Sequence, residues 1–254
     1  MLNSELKKSL ISIFGPNGFA DSKEDCLTYS YDATSLNYLP DAIVFAETAE
    51  QVSALMKLAD RHKVPIIPRG AGSGYTGGSL AVNGGIILVM EKMNRILQID
   101  QDDMFVIVEP GVITGQLHAA VEKLGLFYPP DPASMEFATI GGNIAENAGG
   151  PHCLKVGMTV DHVLALQWVD PSGNIHNTSN RNLLGLLHGS EGTLGVITDA
   201  TLSLQPNPTS ESTLLAMFDS LVDAAGSVMK LQLLQPVALE LVDKKMLEIV
   251  EQAF

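Results

Sequence analysis

The residues able to do chemistry are concentrated in three glycine-bearing stretches. The first runs Arg69-Gly-Ala-Gly-Ser-Gly-Tyr-Thr-Gly-Gly78, with five glycines between 70 and 78. Glycine permits positive φ and a close approach of backbone to ligand. Successive backbone N–H groups in such a loop form a concavity for anions. A diphosphate is the ligand this pattern suits. Gly72, Gly74 and Gly77 also stand in GxGxxG spacing, which alone would suggest a Rossmann dinucleotide loop. A Rossmann loop must open a helix whose N-terminus holds the pyrophosphate. Here Asn83-Gly84-Gly85 would break a helix begun at Gly77. The spacing therefore predicts a loop between two strands. A nicotinamide-cofactor reading would make Glu91 or Asp100 the ribose ligand and needs a helix starting near Gly74.

The second stretch combines Pro130-Asp-Pro-Ala-Ser134 with Thr139-Ile-Gly-Gly-Asn-Ile-Ala-Glu-Asn-Ala-Gly-Gly150. Thr139 can cap a short helix over 140–147. The N–H groups of Gly141 and Gly142 would then lie at its positive end and form a second anion site. Asn143 and Asn147 are one turn apart. Both can face a ligand, or each can serve a local turn or cap. His152 and Lys155 follow, suited to a proton shuttle or to orienting the loop. The third stretch, 189–197, is a turn into a strand with Gly189, Gly192 and Gly195. Glu191 either contacts a ligand there or holds the turn. The residues point to no catalytic base. The two cysteines, Cys26 and Cys153, match no metal-ligand spacing, so no metal site is expected.

These stretches need elements to position them. Leu2, Leu6, Leu10 and Ile13 form one face of a helix ended by Gly15-Pro16. An apolar run at 42–46 precedes Thr48, a helix cap with Gln51 at the N3 position. Val52, Leu55, Met56 and Ala59 then predict a helix over 49–62. Strands are expected at 64–68, 86–90, 96–100 and 105–108, the last two forming a hairpin. Thr114 is the expected cap of a helix through Leu124, with Gly125 just past its end. The long loop 126–157 reads as functional. Strands follow at 163–169, 175–178 and 195–204. Gln205-Pro-Asn-Pro208 reads as a linker. Beyond it come a strand (213–218), a helix (221–234), a strand (237–242) and a helix (244–253).

The chain has 254 residues, 46% hydrophobic and 17% charged, with a net charge of −14. This is enough for a substantial core and excludes a disordered chain. The negative charge opposes nucleic acid or an anionic membrane as main partner. It does not oppose a diphosphate held by backbone N–H groups. No apolar stretch is long enough for a transmembrane helix, and the N-terminus lacks a secretory core. Two unpaired cysteines suit a cytoplasmic protein.

Four strings, PRGAGSGYTGG (68–78), PDPAS (130–134), IGGNIAENAGGPHCLKVGMTVDHVL (140–164) and GSEGTLGVIT (189–198), resemble the FAD-linked oxidase family. This is the flavin domain of the p-cresol methylhydroxylase and vanillyl-alcohol oxidase type. Within it the chain is most similar to the FAD-linked subunit of glycolate oxidase and to D-lactate dehydrogenases. The resemblance implies an α+β fold: two subdomains, about 1–100 and 101–206, with FAD between them. An incomplete α/β cap or substrate domain, 207–254, would follow. It implies that Arg69, Gly70, Ala71, Gly72, Ser73, Gly74, Thr76, Gly77 and Gly78 wrap the diphosphate. Pro130, Asp131, Ser134, Thr139, Ile140, Gly141, Gly142, Asn143, Asn147, Ala148, Gly149 and Gly150 would line the cofactor from ribityl chain to isoalloxazine. Gly192, Gly195, Val196 and Ile197 would flank it. The implied reaction is oxidation of a small 2-hydroxy acid, glycolate or D-lactate, with hydride passing to flavin N5. Relatives that attach FAD covalently near this loop use His or Cys, and Ser73 stands where the berberine-bridge type has its loop His, so non-covalent FAD is expected, Cys153 being the alternative attachment. Family members are considerably longer, and a C-terminal segment supplies the residues that activate the hydroxyl. The alternative is therefore a FAD-binding module without turnover of its own. Implied partners are subunits with iron–sulfur clusters, which can hold the chain at a membrane periphery.

Overall fold

The computed structural model of the chain describes residues 2–253. The chain opens with α1 (Ser4–Phe14), whose first turn is capped by Asn3 accepting from the Leu6 N–H at 2.7 Å. Leu6, Leu10 and Phe14 form its buried stripe. A short β1 (Phe19–Ala20) and α2 (Lys23–Thr28) lead to β2 (Ala42–Phe45). The next elements are α3 (Ala49–His62), β3 (Ile66–Arg69) and β4 (Ile86–Val89). They build a four-stranded sheet in the order β1-β2-β4-β3. The strands β2, β4 and β3 run parallel, and β1 pairs antiparallel with β2. All four residues of β4 are buried, as expected for an inner strand covered on both faces.

Parallel strands of one sheet need a crossover of a dozen or more residues, usually a helix. Between β2 and β3 that crossover is α3, which begins and ends as the sequence indicates. Thr48 caps it by accepting from Gln51 N–H, and Lys63 closes it in the left-handed conformation, φ 53°. Between β3 and β4 the crossover contains no helix. It is the glycine loop itself, residues 70–85. The loop joins two strands, so the helix required by the Rossmann reading is absent.

The second half begins with β5 (Ile96–Asp100), β6 (Phe105–Val108), α4 (Thr114–Glu122), β7 (Leu126–Phe127) and α5 (Ile140–Glu146). It continues through α6 (Cys153–Val156), β8 (Val163–Val169), β9 (Ile175–Thr178), α7 (Arg181–Leu187) and β10 (Val196–Ser203). Five of these strands form an antiparallel sheet in the order β5-β6-β10-β8-β9. Leu117 and Val121 of α4, Ile140 and Ile144 of α5 and Leu184 and Leu187 of α7 pack on it with Val106, Val108, Leu166, Ala200 and Leu202. The first core gathers α1, α3, β2 and β4, and it also takes in Val169 and Val196 from the second sheet.

Three expectations need correction. Thr114 is not the cap of α4; Ile113 is, without a side-chain bond. The Thr114 hydroxyl is buried and tied instead to Ala138 O at 3.0 Å and Asn143 Nδ2 at 2.6 Å. Tertiary partners outcompete the local N–H. The expected loop 126–157 contains β7 and α6, and α7 was not foreseen. Its signal was Asn180, whose side chain accepts from the N–H groups of Asn182 and Leu183. Finally, 213–218 and 237–242 form no strands. A strand requires a neighbour to complete its ladder, and the described residues provide none there. After β11 (Gln205–Pro206), which pairs with β7, the helices α8 (Leu221–Gln232) and α9 (Lys244–Ala253) stand exposed. No residue from 209 to 252 is buried.

Because Leu88 of β4 is fully buried between two layers, Leu88→Ala should cost about 2–5 kcal/mol. Urea unfolding followed by circular dichroism checks this; a loss below about 1 kcal/mol contradicts the assigned core.

Candidate cofactor-binding site

A cleft opens between the two sheets. One wall is the crossover loop, with Arg69, Gly70, Ala71, Gly72, Ser73, Gly74, Gly78 and Ser79. The floor comes from Ser134, Ala138, Thr139, Gly141, Gly142, Asn143, Ala145, Glu146 and Ala148 around α5. The far wall is the turn into β10: Ser190, Glu191, Gly192, Gly195, Val196 and Ile197. All three glycine stretches thus meet in one place.

The loop and α5 press directly together. A Cβ at Gly70 would run into the Thr139 hydroxyl. Gly72 takes φ +67°, and the Arg69 guanidinium fills the place its Cβ would need. That guanidinium does not reach freely into the cleft. It lies buried under the loop, donating to Tyr31 O at 2.8 Å and resting 5.6 Å from the Tyr29 ring centre. Burial lowers its pKa while Asp32 opposes that shift.

The loop N–H groups carry more of the binding capacity. Among the described residues, no protein acceptor meets the N–H groups of Ser73, Gly74, Tyr75, Thr76 and Gly77. The same holds for Gly70, Ala71 and Gly72, and of this run it is residues 70–74 that line the cleft and are available to an anion there. The start of α5 behaves differently from expectation. Its Ile140 N–H donates to Val112 O at 2.9 Å, Gly141 N–H to Pro110 O at 2.8 Å, and Gly142 N–H to Thr139 Oγ1 at 3.3 Å. These donors are already occupied, so α5 does not present the open second anion site read from the sequence. Gly141 serves packing, since a Cβ there would stand 2.6 Å from Pro110 Cβ.

The two asparagines separate as well. Asn143 is buried and donates to Thr114 Oγ1 while lining the floor. Asn147 caps α5 in the left-handed conformation, φ 51°, and its side chain accepts from Val160 N–H at 3.0 Å. It does not line the cleft, which is the local role the sequence left open. Ile140 points into the second core. Thr76 and Gly77 sit at the outer edge of the loop, beyond the lining residues. Pro130, whose carbonyl meets His118 Nε2 at 2.9 Å, is off the lining, and Asp131, Gly149 and Gly150 make a separate cluster: a Cβ at Gly150 would strike Asp131, whose carboxylate lies 2.7 Å from His152 Nδ1. Cys153 belongs to that cluster, with Sγ accepting from Gly150 N–H at 2.9 Å. His152 and Lys155 are likewise outside the cleft lining.

Sequence reasoning missed Asp32, Met90, Pro110 and Leu187 as lining residues. Asp32 lies in an aperiodic stretch, where it accepts from Thr34 N–H at 2.8 Å. Only the Pro-Gly step after β6 offered a signal for Pro110. Asp32, Glu146 and Glu191 make the rim acidic. Burial chiefly, then the charges of Glu191 and Asp32, raise the Glu146 pKa, against the hydrogen bond from Thr76.

A family model described as an FAD binding domain matches residues 40–179. The chain belongs to this FAD-binding family. FAD is its cofactor, and the fold is of the p-cresol methylhydroxylase type. The glycolate oxidase subunit GlcD of Bacillus subtilis is 40% identical over 99% of the chain and 56% of that protein. A D-lactate dehydrogenase of Archaeoglobus fulgidus is 37% identical over 98% of the chain and 56% of its own length. Among solved structures, alkyldihydroxyacetonephosphate synthase superposes with a TM-score of 0.74 at 28% identity, over 83% of the chain and 42% of that protein. The chain thus spans about half the length of the relatives it matches.

The cleft fits FAD on its own geometry: it joins a run of available N–H donors to a floor and wall kept shallow by glycine. Gly74 is bounded only by the Glu146 carboxylate, at 3.0 Å from an added Cβ, and Gly142 only by the Thr139 hydroxyl at 3.1 Å. Gly74→Val and Gly142→Val should therefore leave the protein soluble and folded while lowering retained FAD at least tenfold. Flavin absorbance per polypeptide after gel filtration measures this. Full FAD content in both variants would remove the cleft from consideration.

Proposed function

We propose that this chain supplies the FAD-binding part of an enzyme that oxidises a small 2-hydroxy acid, glycolate or D-lactate, to the 2-oxo acid. The observation that supports this most is the run of available N–H donors from Gly70 to Gly74 along a glycine-lined cleft. The relatives' names supply the substrate class. The loop donors receive the diphosphate. Ser134, Thr139 and Asn143 offer polar contacts along the floor, and Gly192, Gly195, Val196 and Ile197 give the ring system a flat apolar wall. When bound, FAD would supply the two-electron oxidant, N5 being the acceptor for the α-carbon hydride while the hydroxyl proton is lost to a base. The protein's share is orientation and exclusion of water. Ser73 cannot form the attachment that a His or Cys makes, and Cys153 is engaged away from the lining, so FAD is held non-covalently. Residues 1–206 form the FAD-binding unit, in two parts divided near residue 100, and 207–254 begin a cap or substrate domain.

A second reading is a flavin-binding module that needs further polypeptide for turnover. The exposed helices α8 and α9, with Val222 79% and Leu247 54% exposed, favour it. Partner subunits carrying iron–sulfur clusters would take the electrons in the first reading. The site of action would be cytoplasmic, at the membrane only through those partners. No helix of the described residues is long and apolar enough to cross a membrane.

Reconstitution with FAD followed by anaerobic addition of glycolate or D-lactate tests both readings. Bleaching of the visible flavin band supports turnover by this chain. A bound flavin that stays oxidised supports the module. Absence of flavin binding after reconstitution would sink both. Acid precipitation should release all flavin from wild type and from Ser73→Ala alike; flavin retained in the pellet would contradict non-covalent binding.

A further inference from the structure

Glu146 is the last residue of α5, and its carboxylate reaches across the cleft. It accepts from the Thr76 hydroxyl, at 3.0 Å to one oxygen and 3.2 Å to the other. The same hydroxyl accepts from Gly78 N–H at 3.3 Å. This relay links residues 70 positions apart. One lies in the crossover of the first sheet and the other on a helix that packs against the second. The loop also closes sterically on this carboxylate. Added Cβ atoms would stand 3.0 Å from Glu146 Oε1 at Gly74 and 3.5 Å at Gly78.

The position is a poor one for a negative charge. It lies at the C-terminal, negative end of a helix. Asp32 and Glu191 add like charge, and burial removes solvent. An arriving diphosphate would add more. A carboxylate kept for its charge would oppose the ligand. What it contributes favourably is a hydrogen-bond acceptor for the loop. Glu191 approaches Gly78 too, but among the described residues its side chain accepts no hydrogen bond from the loop.

We propose that Glu146 is a positioning residue that, by accepting the Thr76 hydroxyl, holds Gly74–Gly78 in the conformation that receives the FAD diphosphate. The proposal rests on the FAD-binding reading of this cleft. A neutral acceptor of the same reach performs the same task, so the role belongs to the oxygen and not to the charge.

The test uses the full chain and three variants, Glu146→Ala, Thr76→Val and Glu146→Gln. Two measurements are made: hydrogen exchange of the 74–78 amides without FAD, and FAD affinity by flavin fluorescence. Glu146→Ala and Thr76→Val should each accelerate loop exchange and weaken FAD about tenfold. The double variant should be no weaker than either single one. Glu146→Gln should exchange like wild type and bind FAD within threefold, or more tightly at pH 8. Thr76 is exposed, so its variant decides the matter if Glu146→Ala fails to fold. Wild-type affinity and exchange in Glu146→Ala, or a Glu146→Gln that behaves like Glu146→Ala, would overturn the positioning role. A wild-type chain that binds no FAD fails the underlying reading instead, which separates the two failures.

Discussion

The site depends on one constraint of connectivity. Two parallel neighbours, β3 and β4, are joined without a helix, so a bare loop must carry the chain from one end of the sheet back to the other. Such a loop cannot satisfy its backbone by internal repetition as a helix does. Its N–H groups must find other partners or remain available. Here the N–H groups of residues 70–77 remain available, and the loop is fixed by what lies outside it. Gly70 admits the Thr139 hydroxyl, the Arg69 guanidinium occupies the underside, and Thr76 reaches Glu146. The cleft is the space left between that loop and α5.

The electrostatics follow from the same arrangement. On the proposed reading, a chain of net charge −14 would bind a dianionic group by backbone dipoles, since the Arg69 guanidinium is buried and bonded beneath the loop. Acidic side chains line the rim, so attraction for an anion has to come from the loop's N–H donors. The start of α5 takes no part in this. Its donors are satisfied by Pro110, Val112 and Thr139, and its function is to brace the loop.

Much of the fold was legible in the sequence. The helix over 49–62 declared itself through its period and its Thr48–Gln51 cap, and the strands around the glycine loop through short apolar runs. The glycine spacings located all three walls of the cleft. What escaped was set by tertiary partners. Thr114 looks like a cap from its neighbours, but its hydroxyl goes to Ala138 and Asn143. Gly141 and Gly142 look like an anion site until Pro110 and Thr139 claim their N–H groups. Gly149 and Gly150 look like cofactor contacts, yet they make room for Cys153 and Asp131. The two strands expected beyond residue 210 illustrate the same limit, since β propensity has no effect where no neighbouring strand exists.

The tips of β8 and β10 also bear on how the molecule comes apart. Val169 and Val196 leave the second sheet's own core and complete the first one, while Ile197, the next residue along, packs into the second. Adjacent residues of a single strand therefore anchor opposite halves. The halves share a keystone, and neither can be loosened without opening the other. Melting should then be one cooperative event across both sheets, and a ligand that bridges them stabilises the two sheets together rather than either alone.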